Sequence, residues 1–444
     1  MQQPLDSDVL VIGAGPAGLA LAISLGQAGL SVIVLDAQAR HALSAPKDDG
    51  REIALTHDSV ALLKQLGIWP RLAAHEIGVI REAQVHDGGH ARALLDFNAR
   101  GERGGGTDAD VLGWIVPNNA LRRASFEVAS ALPSLRIVCD AQASQVRPLP
   151  THAEVFFDAL PSPTGERLRA RLLVAADSRF SVTRRQLGIG ADLHDFGRTM
   201  VVCRMQHAQP HREVAHECFG YERTLAVLPL SGDASSVVLT ADAGAAAQLM
   251  AMPGDAFTAL VQRQFHDRLG RMGMAGERHA YPLVATYAHR FRSMRSALVG
   301  DAAVGMHPVT AHGYNLGLQG VGTLAGRVVQ AHRAGQDIGA ASLLAAYEAT
   351  HRRQTRLIYH GTNAVAKLYA DNRAPLRLLR QLVLEGAQRF PPLKAAITRQ
   401  LTGHRPTESE KTLAYQTVHF DALAAEATVR SMNRTPRAPS STRG

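Results

Sequence analysis

The stretch Asp8-Val-Leu-Val-Ile-Gly-Ala-Gly-Pro-Ala-Gly18 decides the fold of this chain. A short apolar run, typical of a buried strand, leads through the spacing Gly-x-Gly-x-x-Gly into a helical pattern from Leu19 to Ala28. A second apolar run, Ser31 to Leu35, then closes on Asp36. This order predicts a dinucleotide-binding β-α-β unit, with a glycine-rich turn that binds nothing as the alternative. Gly13 is expected to form the tight turn, and Gly15 to allow close approach of a pyrophosphate. Gly18 is expected to let the helix pack against the strand, and Asp36 to bind the ribose hydroxyls.

Two later strands are also expected to end on an acid. The stretch from Ala297 to Leu318 runs from a short apolar strand through Asp301 and a tight loop into an apolar helix, whose free N–H groups are expected to face a ligand. The buried strand Leu172 to Ala176 ends on Asp177. Ligands of open α/β sheets lie at the carboxyl ends of the strands, so both acids are expected to border one pocket. Asp177 has a compatible alternative role, as a cap for a helix that begins near Ser181.

Length and composition exclude several classes of protein. The 444 residues predict two domains or one large domain with an insertion, and 46% hydrophobic with 20% charged residues is ordinary for a globular protein. The net charge of +9 is spread without a basic run, so we expect no nucleic-acid partner. The three cysteines lack CxxC spacing, which favours a reducing compartment and no metal site. No secretory leader or spanning apolar run is evident, which predicts a cytoplasmic protein.

The remaining segments predict a second domain and a helical end. Alternating apolar and polar positions from Asp192 to Tyr281 indicate an antiparallel sheet inserted over the ligand crevice, followed by a helix from Gly254 to Gly270. A turn is expected from Pro161 to Gly165. The last helices are expected at Val321–Ala334, Ser342–Tyr369 and Ala374–Leu401. The last of these is basic and amphipathic, so either it packs on its own domain or it lies on the inner face of the membrane.

The three motifs, in this order, resemble the single-component flavin aromatic hydroxylases, also called class A flavoprotein monooxygenases. The resemblance covers roughly residues 5–400. His307-Pro308 followed by Gly313-Tyr-Asn-Leu-Gly317 is similar to the ubiquinone-biosynthesis hydroxylases UbiH, UbiF and UbiI. Ala311-His312 replaces their Gly-Gln and Asp177-Ser178 replaces their Asp-Gly. Together with Asp195-Phe-Gly-Arg-Thr-Met200, these departures look most similar to the UbiM branch of 5-demethoxyubiquinol hydroxylases.

This resemblance implies an α/β (α+β) fold. It has a Rossmann-like FAD-binding domain with an inserted antiparallel β-sheet substrate domain and a helical C-terminal region. The expected boundaries are 5–80, 111–190 and 282–340 for the FAD-binding domain, 81–110 and 191–281 for the substrate domain, 341–404 for the C-terminal helices, and 405–444 for a polar, disordered tail.

The resemblance also implies the residues that bind FAD. Serine at position 178 disfavours the positive φ that a glycine there would allow. The ADP half is expected to contact Gly13, Gly15, Gly18 and Asp36, with Arg51 and Arg122 nearby; Asp177 belongs to the middle motif; Gly300 and Asp301 meet the ribityl chain; and Pro308, Gly313, Tyr314, Asn315 and Leu316 border the isoalloxazine ring.

The implied activity is hydroxylation of the aromatic ring of a prenylated quinol or phenol precursor in ubiquinone biosynthesis. O₂ would react with reduced flavin to give a C4a-hydroperoxide, and the electron donor would be NAD(P)H or a ferredoxin-type protein. No protein nucleophile is needed. His307 and His312 are the candidates for catalytic proton handling, with a structural role in the loop as the alternative.

Other functions remain open at this point. The enzyme alternatives are a flavin hydroxylase or epoxidase of a soluble secondary metabolite, and a flavin reductase or halogenase. The Trp-x-Trp-x-x-Pro element of related halogenases is missing, because Trp69 and Trp114 are the only tryptophans. A flavin-loaded assembly subunit of a biosynthetic complex is the non-enzymatic alternative. Two further interactions stay open as expectations: peripheral association with the membrane and association with a biosynthetic complex.

Overall fold

The structure, a computed structural model, describes residues 4–87, 95–98, 111–159, 162–220, 223–307 and 313–370. The strands within these ranges, in chain order, are β1 (Ser7–Ile12), β2 (Val32–Leu35), β3 (Glu52–Leu55), β4 (Gly78–Ile80), β5 (Glu82–Asp87), β6 (Leu95–Asn98), β7 (Gly113–Pro117), β8 (Leu135–Val138), β9 (Ala141–Pro148), β10 (Ala153–Ala159), β11 (Ser162–Ala175), β12 (Ala191–His207), β13 (Val214–Phe219), β14 (Thr224–Pro229), β15 (Ala234–Asp242), β16 (Met272–Met274), β17 (His279–Ala288), β18 (Arg292–Ser293), β19 (Ser296–Leu298) and β20 (Val304–Gly305). The helices of the same ranges are α1 (Pro16–Gln27), α2 (Arg40–Ser44), α3 (His57–Gln65), α4 (Asn118–Ser130), α5 (Val182–Gln186), α6 (Ala243–Ala251), α7 (Gly254–Gln264), α8 (Gly313–Arg333) and α9 (Ala341–Ala370).

The first sheet contains the strands that the apolar runs predict. Its order is β18-β19-β11-β1-β2-β8, and β10 and β9 extend it from β11. β1 lies between β2 and β11 and is parallel to both, with Val9 opposite Val32 and Leu172. β19 is parallel to β11, and β8 is parallel to β2. The carboxyl ends of these parallel strands therefore lie along one edge of the sheet, where parallel α/β sheets bind ligands.

The second sheet confirms the antiparallel sheet predicted from alternation. Its order is β20-β17-β12-β15-β14-β13-β5-β6, with β16 paired to β12. All of its pairs are antiparallel except β13 with β5. Residues such as Val201, Leu225 and Leu239 point to one face and pack against Phe257 and Val261 of α7. The opposite face is therefore free to line a cavity. A small third sheet has the order β3-β7-β4.

Some predicted element boundaries are wrong. α7 ends at Gln264 rather than Gly270, because His266 and Asp267 adopt left-handed backbone conformations with φ of 56° and 52° that stop a helix. The turn predicted from Pro161 to Gly165 is largely strand, since β10 pairs with β11 as far as Ala159 opposite Ser162. The alanine-rich helix α6 was not predicted. Residues 88–94 and 99–110 of the expected substrate-domain segment, the helix expected over residues 374–401 and the tail lie outside the described residues.

The helices of the described ranges include none that is long and apolar enough to cross a membrane.

The contact of α1 with the glycine turn requires glycine at position 18. A Cβ placed on Gly18 would lie 2.0 Å from the carbonyl oxygen of Gly13 and 3.1 Å from the Cβ of Ala176. Both obstacles belong to the central strands or the turn between them, so the clash is not relieved by rotation of a flexible side chain. The spacing of the motif is therefore fixed by packing as well as by ligand binding.

We predict that Gly18→Ala lowers the free energy of unfolding by about 1–3 kcal/mol or more, because of this overpacking. The matched control is Gly326→Ala in α8, where an added Cβ meets nothing within 4 Å. That substitution should raise the free energy of unfolding by up to about 1 kcal/mol, since alanine is the better helix former. Urea denaturation measures both. Equal effects of the two substitutions would contradict the packing argument.

Candidate active site

The glycine turn after β1 is closed on its inner side and open on its outer side. Gly13 has a φ of 109°, and a Cβ there would lie 2.5 Å from the carbonyl oxygen of Ala176. A Cβ on Gly15 would meet nothing within 4 Å, which leaves space at the start of α1. The backbone N–H of Ala14 donates to Asp36 Oδ2 at 2.7 Å. Asp36 thus ties the turn to the end of β2, at the edge where a dinucleotide is expected.

The Gly300-Asp301 motif, which follows β19, packs against the same turn. A Cβ on Gly300 would lie 3.0 Å from the Cβ of Ala17, so the loop after β19 approaches the first turn of α1 closely. Asp301 follows, with its side chain 35% exposed, and Arg179 Nη2 donates to its Oδ2 at 3.1 Å. Arg179 Nη1 also donates to the backbone carbonyl of Val284 in β17 at 2.9 Å. Arg179 therefore joins the Asp301 loop to the second sheet.

Arg179 was not among the predicted site residues. The signal for it lies in the middle motif, where Arg179 directly follows Ser178. Ser178 keeps a positive φ of 84°, so the glycine conformation is retained in spite of the serine. This backbone geometry turns Arg179 toward Asp301. A charged residue next to a position that needs positive φ is thus the feature that sequence reasoning could have used.

Asp177 has the capping role that the sequence offered as an alternative. Its Oδ1 accepts from the hydroxyl of Ser181, and its Oδ2 accepts from the backbone N–H of Thr183 at 3.0 Å. Ser181 is the N-cap of α5. Ala176 and Ser178 line the central cavity described below, whereas Asp177 does not. A contact between Asp177 and the cofactor stays a prediction.

The start of α8 is attached to the third sheet. Asn315 Nδ2 donates to the carbonyl oxygen of Ala54 at 2.9 Å, and Asn315 Oδ1 accepts from the N–H of Thr56 at 3.1 Å. Leu316 is buried in the main core. Tyr314 lines the cavity, and its hydroxyl has no hydrogen-bond partner among the described residues. Burial raises the pKa of Tyr314, so this hydroxyl stays protonated and can donate to a ligand.

His307 is buried at the cavity wall, with its ring edge-on to Phe196 and a centroid separation of 4.6 Å. Burial lowers the pKa of His307 to about 4, so the imidazole is neutral at neutral pH. A neutral imidazole can accept or donate a hydrogen bond, but it lacks the additional proton that an imidazolium would donate as a general acid. Pro308 and the second candidate, His312, lie outside the described residues.

The two predicted arginines lie in different places. Arg51 lines the cavity, where its Nη2 donates to Asp49 Oδ2 at 2.6 Å and its guanidinium lies 5.2 Å from the centre of the Tyr281 ring. Arg122 does not line the cavity. Its Nη2 donates to Gln38 Oε1 at 2.9 Å, close to the strand end that carries Asp36.

These groups surround a cavity of about 680 Å³. One wall is formed by the glycine turn, the Asp301 loop and the start of α8, and the opposite wall by the free face of the second sheet. The sheet wall is mainly apolar. The predicted site residues that line the cavity are Gly15, Arg51, Gly300, Asp301, His307, Gly313 and Tyr314; the apolar residues of the sheet wall include Met200, Val202, Phe219, Ala226, Leu228 and Val238.

Two acids in this cavity were missed by sequence reasoning. Burial raises the pKa of Glu52 to about 7, although Arg204 Nε lies 2.7 Å from its Oε1 and opposes the shift. Burial alone raises the pKa of Glu217 to about 7. Both acids lie within strands, and the residues two positions along the same strand are apolar: Ala54 for Glu52, and Ala215 and Phe219 for Glu217. An acid on the inward face of an alternating strand was the available signal.

Comparison with known proteins agrees with this geometry. Residues 6–360 match the family model described as "FAD binding domain". Ubiquinone hydroxylase UbiM of Neisseria meningitidis is 45% identical over 403 residues, which are 90% of this chain and 85% of that protein. Ubiquinone hydroxylase UbiL of Rhodospirillum rubrum is 36% identical over 397 residues, covering 89% and 90% of the two chains.

Solved structures show the same fold. The p-nitrophenol 4-monooxygenase PnpA from Pseudomonas putida superposes with a TM-score of 0.73 at 18% identity, covering 91% of this chain and 100% of that one. PqsL from Pseudomonas aeruginosa, a probable FAD-dependent monooxygenase, gives 0.69 at 21% identity, with 82% and 97% covered.

The fold and the family match define a flavoprotein monooxygenase with FAD as its cofactor. More narrowly, the chain belongs to the ubiquinone hydroxylase family of these enzymes. The resemblance inferred from the three motifs is thereby confirmed, and the interpretation as an assembly subunit without activity is not supported.

The local structure fits FAD. Open space at Gly15 adjoins the first turn of α1, where backbone N–H groups suit a pyrophosphate. Asp301 has one oxygen on Arg179 and is partly exposed to the same cavity, which suits ribityl hydroxyls. The unpaired hydroxyl of Tyr314 offers a further donor within the described part of the chain. We therefore propose that these residues hold the cofactor as the motifs imply.

We predict that Asp301→Ala weakens FAD binding by at least about tenfold, because the loss of a charge-assisted hydrogen bond costs roughly 1.5–3 kcal/mol. The bound FAD per polypeptide is measured by absorbance after gel filtration. Asp158→Ala, on an exposed position of β10, is the control and should retain full FAD. Stoichiometric FAD in purified Asp301→Ala would show that this carboxylate does not hold the cofactor.

Proposed function

We propose that this monooxygenase hydroxylates the aromatic ring of a prenylated quinol or phenol precursor in ubiquinone biosynthesis. O₂ supplies the oxygen atom, and FAD, when bound, supplies the chemistry that activates O₂. The names of the relatives support this class of substrate, since UbiM and UbiL are both ubiquinone hydroxylases. A 3-demethoxyubiquinol 3-hydroxylase of Escherichia coli is also 26% identical, over 89% of this chain.

The observation that carries the proposal is the apolar wall opposite the cofactor side. Val202, Ala226 and Val238 lie side by side on three neighbouring strands, since Ala226 pairs with Val238 and Val238 with Val202. All three line the cavity. A hydrophobic ring with a prenyl chain buries its surface against such a wall, whereas a soluble polar metabolite leaves it unused.

The same wall serves the reaction by excluding water. Asp301 and Arg179 place charged groups on one side of the cavity, and the groups on the sheet side are mainly uncharged. An aromatic ring held between them displaces water from the reacting edge of the cofactor, which suppresses loss of activated oxygen to solvent. The first N–H groups of α8 and the hydroxyl of Tyr314 can stabilise negative charge on the cofactor, with the helix dipole contributing about 0.3–2 kcal/mol.

We also propose an electron donor, an association with the membrane or a complex, and domain boundaries, all from the sequence. The electron donor is NAD(P)H or a ferredoxin-type protein, and the protein associates with the inner face of the membrane or with a biosynthetic complex. The domain boundaries are those implied by the resemblance. The donor is decided by whether NAD(P)H reduces the purified flavin, and whether substrate accelerates that reduction.

We predict that deletion of the gene causes a quinol precursor lacking one ring oxygen to accumulate, because this enzyme adds that oxygen. Quinone analysis by mass spectrometry measures it. Restoring the wild-type gene should restore ubiquinone, whereas a gene encoding Asp301→Ala should not. Unchanged quinones, with no accumulating precursor, would count decisively against the proposed substrate.

A further inference from the structure

Glu217 lies at one edge of the substrate-facing wall, on β13, the last strand of the second sheet that lines the cavity. In β13 it pairs with Ala226 of β14, which continues the row of cavity-lining residues to Val238 and Val202. The next row consists of Phe219, Thr224, Thr240 and Met200. All of these side chains line the cavity. An ionisable group is thus set among apolar and hydroxyl side chains, opposite the cofactor side.

The carboxyl group of Glu217 makes no hydrogen bond or ion pair with any residue that the structure describes. The other two acids of the cavity differ in this respect. Asp301 accepts from Arg179, and Glu52 accepts from Arg204. Glu217 is half-buried and lines the cavity, so a bound ring that displaces water from its carboxyl group would leave that group without a partner, which is costly. The cost is offset if a ligand supplies the missing donor.

The side chains around Glu217 limit the kind of hydrogen-bond donor that a ligand can bring to its carboxyl group. No charged residue neighbours Glu217 in its row, and the two arginines on the sheet side of the cavity, Arg198 and Arg223, lie outside this row and the next one. The two rows therefore suit an uncharged aromatic ring. Burial raises the pKa of Glu217 to about 7, so the carboxyl can both release and take up a proton near neutral pH. A hydroxyl on the ring is the donor that a quinol or phenol would bring to this position.

We propose that Glu217 recognises the ring hydroxyl of the substrate, an inference that rests on the function proposed above. A carboxylate oxygen of Glu217 accepts the hydroxyl hydrogen bond. When the ring reacts, the hydroxyl O–H bond breaks and an O–H bond forms on Glu217. The electron pair left on the ring oxygen raises the electron density of the ring, which favours attack on an electrophilic oxygen.

The test measures ligand binding to the holoenzyme with oxidised FAD. No reductant is present, so the enzyme cannot turn over and the measurement reports binding alone. The probes are 2-prenylphenol and its methyl ether, which differ only in the hydroxyl hydrogen and the methyl group that replaces it. Isothermal titration calorimetry gives both dissociation constants. The wild-type protein should bind the phenol about 10- to 100-fold more tightly, as expected for a hydrogen bond to a charged acceptor.

The variants assign this preference to Glu217. In Glu217→Leu the ratio of the two dissociation constants should fall to about one. In Glu217→Gln, which keeps the shape and a neutral acceptor, it should take an intermediate value. Glu277→Gln is the matched control at an exposed position between β16 and β17, and should keep the wild-type ratio. FAD content and melting temperature establish that each variant is folded.

The possible failures are distinguishable. A wild-type protein that binds both probes equally would overturn the role of Glu217 and leave the proposed function standing. The same holds if Glu217→Leu, or Glu217→Gln should Glu217→Leu not fold, keeps the full wild-type preference. A wild-type protein that binds neither probe would count against a prenylated phenol substrate, and the inference about Glu217 would fall with it.

Discussion

The parallel pairing of β1 with β2 and β11, and of β11 with β19, is the constraint on which the site depends. It brings the ends of four strands to one edge, although their residues are far apart in the chain. The turn at Gly13 then packs against Ala176, and the loop at Gly300 packs against Ala17. These contacts leave no room for larger side chains. The glycines therefore fix the distance between the first turn of α1 and the carboxylate of Asp301.

The second sheet turns this edge into a closed cavity. Its long strand β12 pairs on both sides, and one of its faces is buried by α6 and α7. The other face is thereby directed toward the strand ends of the first sheet, and Arg179 links the two through Val284 and Asp301. Period-two alternation thus has two consequences. It builds a core on one side and the wall of a substrate site on the other.

Much of this arrangement could be predicted from the sequence. Continuous apolar runs indicate parallel strands buried on both faces, and the glycine spacing with Asp36 indicates the nucleotide turn. Helix ends were less predictable. α7 stops where His266 and Asp267 adopt positive φ, and neither histidine nor aspartate in a sequence strongly indicates a positive φ. Arg179 and Glu52 were missed because their importance comes from ion pairs with distant residues, Asp301 and Arg204. Glu217 was missed because only the packed sheet shows which face of its hairpin lines the cavity. Glu217 is significant only once β13 is known to lie beside β14.

A crystal structure of the holoenzyme with bound 2-prenylphenol would show whether the cofactor and the substrate share the cavity between the strand ends of the first sheet and the face of the second. We predict that the ribityl chain contacts Asp301 and that the flavin ring faces the β13, β14 and β15 wall across the cavity. The phenol should lie between them, with its hydroxyl within hydrogen-bond distance of Glu217. A flavin ring bound outside this cavity, away from the second sheet, would contradict the proposed site.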